Sequence, residues 1–483
     1  MSAFGHDDLV ADPLGPGSRP AVVFPSMGDV AGLLAEVVGA PHVSSGDAIS
    51  PDYDHDECLT VVPVRPLAVA RPGSTEEVSA ILRLARAEHI PVVARGSGTG
   101  LSGAAVPTAE AVVVSFERMD AIVEIDTENH VAVVQPGCTL QRLDEATAAV
   151  GLVYPVFPGE SSASLGGNVA TNAGGMRAVK YGVTRHQVLG LELVLAGGEV
   201  IRTGGKFVKS STGYDLTQLV VGSEGTLALV TEATLRLYPR PAHAATVLAP
   251  FSALEEVTAA VAPVVRSGIG PRVLEYVDAI TMAAITGSAG LDLGIPTDIA
   301  ARTNAYLVVV LESSHEDRLD EDVQGLGELL SKLGASDVYV LPPHAGAALI
   351  SAREKAFFVA KAAGADDIVD VVVPRAEIAR YLATVGELAR EHAALVTGCG
   401  HVGDGNVHLS VFQPDPAQRH LLLMALLGAG LALGGAITGE HGVGSEKKQY
   451  FMELEDPVKI ALMRRIKAAF DPDGILNPGK IFD

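Results

Sequence analysis

The stretch that decides the fold is residues 94–103, with the sequence ARGSGTGLSG. Residues 98–103 match the G-x-G-x-x-G pattern, which in a Rossmann fold binds a pyrophosphate and opens directly into a helix. Here the loop continues as AAVP at 104–107 and then as a predicted strand, so we reject a Rossmann fold. The glycines still allow close approach of the backbone to a pyrophosphate, beside the cation of Arg95. The alternative is a tight loop without a ligand, and this loop alone does not separate the two.

Two further glycine-rich stretches favour a ligand. The second spans 159–175 and includes LGGNVATNAGG at 165–175, and the third is GSEGT at 222–226. Glycine inside a helix costs about 1 kcal/mol relative to alanine, so this density calls for a reason such as contact with a flat ring. Three glycine motifs within the length of about one domain predict a large cofactor held by the backbone.

Charge and composition narrow the class of protein. The 483 residues include 35 Lys+Arg and 58 Asp+Glu, a formal net charge of −23, which disfavours binding to nucleic acid. Hydrophobic residues make up 48% and charged residues 19%, as in globular proteins, and the length suggests two or three domains. The three cysteines form no CxxC motif, which argues against an iron–sulfur cluster and suits a reducing cytoplasm.

The sequence predicts no transmembrane span. The N-terminus lacks the basic and apolar regions of a signal peptide. The uncharged stretch 421–437 is at the lower limit for crossing a bilayer, and we interpret it as a buried helix ending at Gly434-Gly435. We therefore expect a cytoplasmic protein, either free or peripheral to the membrane, with a homodimer as one option for its assembly.

Periodicity predicts mixed secondary structure. A helix should begin after Ser74, and another should cover residues 316–333. Between 242 and 435, apolar helices alternate with strands such as AYLVVVLE (305–312) and DIVDVVVP (367–374), which indicates an α+β second domain.

Two histidines flank a predicted turn at Asp404-Gly405. With a two-residue turn, His401 and His408 face each other across a hairpin, where their imidazoles could chelate one divalent metal ion. Glu440, in TGEHG at 438–442, is the best local candidate for a third ligand. The alternative is a pair of stacked structural histidines.

The motifs together resemble a known family. ARGSGTGLSG, LGGNVATNAGG, TGYDL (212–216) and GSEGTL (222–227) resemble the FAD-binding domain of the vanillyl-alcohol oxidase/p-cresol methylhydroxylase type. GHVGDGNVHL (400–409), ITGEHGVGSEKK (437–448) and DPDGILNPGKIF (471–482) resemble its 2-hydroxy-acid branch, which includes the glycolate oxidase flavin subunit, D-lactate dehydrogenase and D-2-hydroxyglutarate dehydrogenase. The resemblance covers roughly residues 55–483.

The resemblance implies an α+β flavoprotein, with a two-subdomain FAD-binding domain and an α+β cap domain that contains an antiparallel sheet. We expect an N-terminal extension at 1–57, the FAD-binding domain at 58–241, the cap at 242–435, and a C-terminal segment at 436–483 that returns to the FAD domain. Some members of the family attach the flavin covalently through a histidine in or near the first glycine loop. This sequence has no histidine between residues 90 and 129, so we expect FAD to be bound non-covalently. The residues expected at the cofactor are Arg95, Gly96, Ser97, Gly98, Thr99, Gly100, Ser102, Gly159, Ser162, Gly166, Gly167, Asn168, Asn172, Gly175, Glu224, Gly225 and Asn477.

The resemblance also implies the chemistry. It makes His401, His408 and Glu440 ligands of zinc or manganese. His441 is predicted to be the base that takes the hydroxyl proton of a D-2-hydroxy acid; the alternative is that it only orients Glu440. Arg353 is predicted to grip the substrate carboxylate, the alternative being an ordinary solvated helix face.

Departures from the family pattern bear on the substrate. D-2-hydroxyglutarate enzymes have a lysine near Ile368 and an asparagine near Ser410, so this chain leans towards a monocarboxylate such as D-lactate or glycolate. Electrons would leave to an acceptor protein, a quinone or oxygen. Two alternatives stay open: an alcohol or sugar oxidase or ether-lipid synthase of the same fold, and a flavin subunit of a larger electron-transfer complex.

Overall fold

The structure, a computed structural model, describes residues 27–482, with side chains from residue 30 onward. Residues 1–26, which include the segment assessed for a signal peptide, lie outside the described residues. The chain forms three main β-sheets with helices packed against them. Their arrangement is α+β, since two of the sheets are antiparallel and the helices cover their faces.

The first sheet follows from the earliest strands and helices. These are α1 (Met27–Val38), β1 (Val43–Ser45), β2 (Ala68–Ala70), α2 (Thr75–Ala87), β3 (Val92–Arg95) and β4 (Val112–Ser115), with 3₁₀ turns at Ala40–His42, Gly46–Ala48 and Pro51–Tyr53. The strand order is β1-β2-β4-β3, with β2, β4 and β3 parallel. Helix α2 begins where the sequence predicts, because Ser74 Oγ accepts a hydrogen bond from the Glu77 amide and caps the first turn.

Part of the predicted N-terminal extension belongs to this sheet. Strand β1 pairs antiparallel with β2, and Val30, Leu34 and Val38 of α1 are buried in the same core as α2. The domain limits at residues 57, 241 and 435 stay predictions.

The second sheet is antiparallel and has the order β5-β6-β10-β8-β9, beside a two-stranded ribbon of β7 and β11. The elements of this region are β5 (Ile122–Asp126), β6 (Val131–Val134), α3 (Leu140–Ala148), β7 (Leu152–Val153), α4 (Leu165–Thr171), α5 (Ala178–Tyr181), α6 (Thr184–Gln187), β8 (Val188–Val194), β9 (Val200–Gly204), α7 (Leu216–Val220), β10 (Leu229–Arg236) and β11 (Tyr238–Pro239). Its core is separate from that of the first sheet.

The third sheet is antiparallel and has the order β15-β12-β14-β13-β17-β18-β16. Its elements are β12 (His243–Phe251), α8 (Leu254–Arg266), β13 (Val273–Asp278), α9 (Ala279–Ala289), α10 (Thr297–Ala300), β14 (Ala305–Ser313), α11 (Glu316–Lys332), β15 (Tyr339–Leu341), α12 (Pro343–Glu354), α13 (Ala356–Ala362), β16 (Asp367–Val372), the 3₁₀ turn Arg375–Glu377, α14 (Ile378–Glu391), β17 (Leu395–Gly400), β18 (Asn406–Phe412) and α15 (Pro416–Ala432). Helices α8, α11, α14 and α15 cover one face, and α9 and α12 pack on the other.

The uncharged stretch 421–437 lies largely in α15, which buries Leu422, Leu423, Leu426 and Leu427 against the third sheet. The chain turns at Gly434, whose φ is 82°, as predicted for a helix that ends near the glycine pair. Within residues 27–482, every helix is too short or too polar to span a lipid bilayer.

The chain ends by returning to the first sheet. After α16 (Lys448–Leu454) and α17 (Pro457–Phe470), the Val92 amide donates to the Ile475 carbonyl at 2.8 Å, and the Asn477 amide donates to the Val92 carbonyl at 2.8 Å. Ile475 and Leu476 are buried in the core of that sheet. This return brings residues 437–447, which precede α16, between the first and third sheets, where His441 contacts both Ser102 and Asp370.

Candidate active site

The first glycine loop leaves strand β3 and does not enter a helix, since the next regular element is β4. This confirms the rejection of a Rossmann fold. Gly98 and Gly103 both have a φ of 74°, a left-handed conformation that favours glycine. A Cβ on Gly96 would lie 1.9 Å from Ser164 Oγ, so the loop packs directly on the start of α4.

A cavity of about 180 Å³ lies between this loop and α4. Most residues predicted at the cofactor line it: Gly96, Ser97, Gly98, Thr99, Gly100, Ser102, Gly167, Asn168, Glu224 and Gly225. Gly166 lines a smaller cavity behind the loop, while Gly159 and Gly175 line a larger neighbouring cavity.

Four predicted cofactor residues make protein contacts away from these cavities. Arg95 Nη1 donates to the His55 carbonyl at 2.7 Å, and Asn172 Oδ1 accepts from the Arg185 amide at 2.9 Å. The Ser162 carbonyl accepts from Ser97 Oγ. The structure therefore places Arg95, Ser162 and Asn172 as loop-positioning residues, and direct cofactor contacts for them stay predictions.

The fourth, Asn477, ties the C-terminal segment to the loop. Its Nδ2 donates to the Ala104 carbonyl at 3.0 Å and to the Glu224 carbonyl at 2.7 Å. Asn477 therefore links the first glycine loop, the third glycine motif and the end of the chain.

The residues of the 180 Å³ cavity fit a flavin nucleotide. Asn168 is buried in the cavity wall, and its Nδ2 has no hydrogen-bond partner within residues 27–482. A buried amide without a partner is costly unless a ligand or water accepts its proton. Together with the backbone of the loop, it offers donors to a large polar ligand with carbonyl and phosphate oxygens.

The histidine hairpin exists, but its predicted register is wrong. Strands β17 and β18 pair Cys399 with His408, not His401 with His408. The His401 carbonyl accepts hydrogen bonds from the amides of Asp404, Gly405 and Asn406, so the turn spans residues 402–405 and is longer than two residues. The two imidazoles still meet, with ring centroids 4.8 Å apart and planes at 80°.

Both histidines converge on one carboxylate oxygen. The Nε2 atoms of His401 and His408 each lie 3.2 Å from Glu440 Oε1. The Gly175 amide donates to the other oxygen of Glu440, which connects the second glycine stretch to this group. Two imidazole nitrogens and one carboxylate oxygen form the donor set of many zinc and manganese sites, and the residues present fit such an ion.

The electrostatics of this group favour a cation. Glu275 Oε1 lies 2.6 Å from His401 Nδ1, opposite the Nε2 that faces Glu440. Burial would lower the pKa of His401, but Glu275 and Glu440 outweigh it and raise that pKa well above its ordinary value. Carboxylates that stabilise a proton on the imidazole would equally stabilise a metal ion in its place.

Asp370 holds the Glu440 segment in position, and the sequence analysis missed it. Its Oδ2 accepts from the amides of residues 439, 440 and 441 and from Thr438 Oγ1, at 2.7–3.0 Å. Burial would raise the pKa of Asp370, but His441 and Lys447 outweigh it and hold that pKa well below its ordinary value. Asp370 is therefore a fully buried anion, and the signal for it was a lone carboxylate within the apolar strand DIVDVVVP.

His441 stacks on His408 at a centroid distance of 5.2 Å, with Nδ1 3.8 Å from Asp370 Oδ2. Burial, with Lys447 and His408 adding to it, lowers the pKa of His441 to about 4 although Asp370 opposes the shift. The imidazole is therefore neutral near pH 7. It lines both the 180 Å³ cavity and a larger cavity of about 450 Å³, so it stands where the two meet.

Arg353 is buried at the end of α12, with 7% of its surface exposed, so the alternative of a solvated helix face is wrong. Its Nη2 lies 2.7 Å from Glu275 Oε2, and its Nε has no hydrogen-bond partner within the described chain. Arg353 lines the 450 Å³ cavity with His401, His408 and Glu440. Glu275, in the apolar strand β13, therefore positions both Arg353 and His401, and it too was missed.

The site combines a glycine-lined cavity with a second cavity that contains charged side chains. Comparison with known proteins gives family matches on both parts of the chain that form it. The family described as "FAD binding domain" matches residues 66–204, and "FAD linked oxidases, C-terminal domain" matches residues 240–481. The chain belongs to the FAD-linked oxidases and is an FAD-linked oxidoreductase of their 2-hydroxy-acid dehydrogenase family.

Individual relatives cover nearly the whole chain. An uncharacterised FAD-linked oxidoreductase of Mycobacterium tuberculosis is 55% identical over 94% of this chain and 99% of its own. A D-lactate dehydrogenase of Archaeoglobus fulgidus is 39% identical over 89% and 95%, and the glycolate oxidase subunit GlcD of Bacillus subtilis is 37% identical over 94% and 97%.

The solved structure of p-cresol methylhydroxylase with substrate bound has a TM-score of 0.77 at 19% identity, over 94% of this chain and 97% of that one. This likeness, with the family matches, confirms the predicted family and the α+β fold class with a p-cresol methylhydroxylase-type FAD-binding domain.

Proposed function

We propose that this protein oxidises a D-2-hydroxy acid to the 2-oxo acid, using non-covalent FAD and a divalent zinc or manganese ion. The observation that carries the proposal is the meeting of His401, His408 and Glu440 with His441 and Arg353 at the junction of two cavities. The relatives named D-lactate dehydrogenase and glycolate oxidase subunit support it.

The two absent groups would supply the redox and acid–base assistance. FAD in the glycine-lined cavity would accept the hydride from C2, and a divalent ion at His401, His408 and Glu440 would lower the pKa of the substrate hydroxyl. The Gly175 amide donates to Glu440, so the second glycine stretch and the ligand set are fixed relative to each other.

The chain's own residues orient the acid. Arg353 lines the cavity, its buried Nε has no hydrogen-bond partner within residues 27–482, and its guanidinium can pair with the substrate carboxylate. Its ion pair with Glu275 restrains the guanidinium, and Glu275 also holds His401. Glu275 thus fixes the distance between Arg353, which would bind the substrate carboxylate, and His401, which would face the substrate hydroxyl.

His441 takes the hydroxyl proton in this proposal. Its Nδ1 faces Asp370, so Nε2 is left to accept the proton. A pKa of about 4 keeps the imidazole unprotonated at neutral pH, which a base requires before each turnover. Once Nε2 has taken up the proton, the nearby Asp370 carboxylate would stabilise the positive charge of the imidazolium.

Anaerobic mixing of the purified, metal-analysed protein with D- and L-2-hydroxy acids tests the proposal. We expect a D-acid to bleach the flavin absorbance and the L-enantiomer to leave it unchanged. Bleaching should be lost in His441→Ala and retained in His315→Ala, a matched variant at an exposed histidine on the third-sheet side. A yellow protein that no hydroxy acid bleaches would contradict the proposal.

The electron acceptor, a cytoplasmic location and a homodimer stay predictions. The acceptor would be a protein, a quinone or oxygen. Reduction of an artificial dye by the purified protein would argue against an obligatory larger complex.

A further inference from the structure

The 450 Å³ cavity follows the strands away from the histidines. In β18, Val407, Leu409 and Val411 point into the core covered by α14 and α15, while His408, Ser410 and Phe412 line the cavity on the other face. This alternation is the period-two pattern of a strand. Four steps of roughly 3.3 Å along the strand carry the cavity wall about 13 Å from His408 to Phe412.

Strand pairing divides this wall into three rows. The first row pairs Cys399 with His408, and His408 belongs to the candidate metal-ligand group. The second row places Thr397 beside Ser410, with Ile368 of β16 on the other side of Ser410. The third row pairs Leu395 with Phe412. The wall therefore changes from titratable to neutral and then to apolar with distance from Glu440.

The facing wall is also apolar. It is formed by side chains of α9 and α13: Ile280, Ala284, Ile285, Phe357, Val359 and Ala360. The charged side chains of the cavity are the cluster around Arg353 and Glu440, linked by the contacts described above, and Glu354, which follows Arg353 in the chain and lies beside Gly159. Between the second and third rows, the described lining thus offers no charged partner to a ligand.

The apolar end is open. Leu395 is 50% exposed and Ile280 is 57% exposed at the rim, so two large apolar side chains face water there. A two- or three-carbon acid held by Arg353 and the histidines would reach the first row only. It would leave the second and third rows without a ligand, although they continue directly from the site.

We infer that the substrate is a D-2-hydroxy acid with a long unbranched apolar chain, of the 2-hydroxy fatty acid class. This inference rests on the proposed function and names its substrate class. The carboxylate pairs with Arg353, the hydroxyl lies at His401, His408 and Glu440, and the chain runs past Thr397 and Ser410 to Phe412. A second carboxylate at the far end is disfavoured because Ile368, Leu395 and Phe412, which line that part of the cavity, offer it no cation.

A chain-length series tests the inference. D-2-hydroxy acids from three to twelve carbons are compared by kcat/KM with an artificial dye as acceptor. Each methylene buried in the channel should raise kcat/KM about two- to fourfold, with a plateau once the chain passes Phe412. Equal kcat/KM for D-lactate and the long acids would overturn the inference while leaving the proposed function intact.

Two variants place the effect in the channel. Thr397→Phe fills the second row, and Ala360→Phe narrows it from the facing helix. Thr397→Val, which keeps the size of the side chain, is the control. We expect both Phe variants to lower kcat/KM for the ten-carbon acid at least tenfold and to change that for D-lactate less than threefold. Equal losses for both acids, or no loss for either, would overturn the inference.

A binding measurement separates this inference from the reaction. Calorimetry of the holoprotein with 2-oxodecanoate and with pyruvate should show tighter binding of the longer acid, and Thr397→Phe should abolish the difference. This result is expected even if no hydroxy acid reduces the flavin, an outcome that would contradict only the proposed function. If Thr397→Phe instead raises only the KM for a short-chain quinone acceptor, the channel belongs to the acceptor and the inference is wrong.

Discussion

The two sides of the active site are built on different principles. The nucleotide side is made of backbone: glycines 96–103 and 166–175 pack so closely that a Cβ on Gly96 or Gly175 would lie about 2 Å from a neighbouring atom. The cap side is made of side chains on the third sheet and on the segment that carries Glu440, where His401 and His408 both contact Glu440 and Glu275 contacts His401. The nucleotide side depends on glycines, which have no side chain and so allow close packing of the backbone. The other side depends on charged and titratable side chains from four separate segments of the chain.

The difference predicts where each side is vulnerable. Side-chain deletions should damage the cap side through its chemistry and leave the cofactor bound. Added methyl groups should damage the nucleotide side through cofactor affinity, and at Gly175 they should also disturb Glu440, which accepts a hydrogen bond from the Gly175 amide.

The largest effect is expected from His441→Gln. Removing a base lowers the rate of flavin reduction by about 10²- to 10⁴-fold, while FAD and metal contents stay unchanged. Because the pKa of His441 is lowered to about 4, wild-type kcat/KM should stay flat from pH 8 to 5 and fall only as pH drops through about 4. Loss of the metal in this variant would instead make His441 a ligand in the alternative group with Asp370 and His408.

Asp370→Asn should have the next largest effect. The amide cannot replace the buried negative charge that accepts from three consecutive backbone amides, so metal affinity or turnover should fall about 10- to 100-fold. Asp367→Asn on the same strand is the control, because burial raises the pKa of Asp367 to about 7 and the carboxyl is easily replaced by a neutral group. Equal effects of the two variants on metal content would argue against a special position for Asp370.

Gly175→Ala probes the backbone side. Its φ is 105°, and a Cβ would lie 2.0 Å from the Phe157 carbonyl oxygen, so the substitution must move the loop. Strain of this kind costs about 1–3 kcal/mol, which should weaken FAD binding about tenfold in a fluorescence titration. Gly268→Ala, with a φ of 83° and open space around the Cβ, should leave FAD affinity unchanged.

The smallest effect is expected from Ile368→Lys. A cation beside Ser410 should raise kcat/KM for D-2-hydroxyglutarate relative to a monocarboxylate about fivefold, a modest gain because the position is half-buried and water weakens the pair. Ile368→Met, similar in size and apolar, should leave the ratio unchanged. A fall in the ratio for the lysine variant would show that the second row does not face the distal end of the substrate.

The sequence predicted those parts of the site whose residues are contiguous in the chain. Each glycine loop lies within one short stretch, and the family resemblance carried by these loops and the C-terminal motifs predicted the fold and most residues that line the 180 Å³ cavity. Glu275 and Asp370 could not be found in this way, because each is a single carboxylate in an apolar strand. They reach the histidines only through the sheet order β13-β17-β18-β16.

The error in the hairpin register has a physical cause as well. Asp-Gly at 404–405 favours a two-residue turn, but Gly405 packs against the Val373 carbonyl, where a Cβ would lie 2.1 Å from the oxygen. Asp404 Oδ1 also accepts from the Asn406 amide. The longer turn is therefore accompanied by a tertiary contact with the residue that follows β16. A local sequence pattern carries no information on such a contact.

The central claim is that a divalent ion held by His401, His408 and Glu440 assists transfer of a hydride to FAD. The most direct measurement is anaerobic flavin reduction by one active D-2-hydroxy acid in metal-stripped protein, before and after zinc or manganese is restored. The account predicts reduction at least a hundredfold slower without the ion and full recovery on its return, with FAD retained throughout. Equal rates with and without the ion would contradict it.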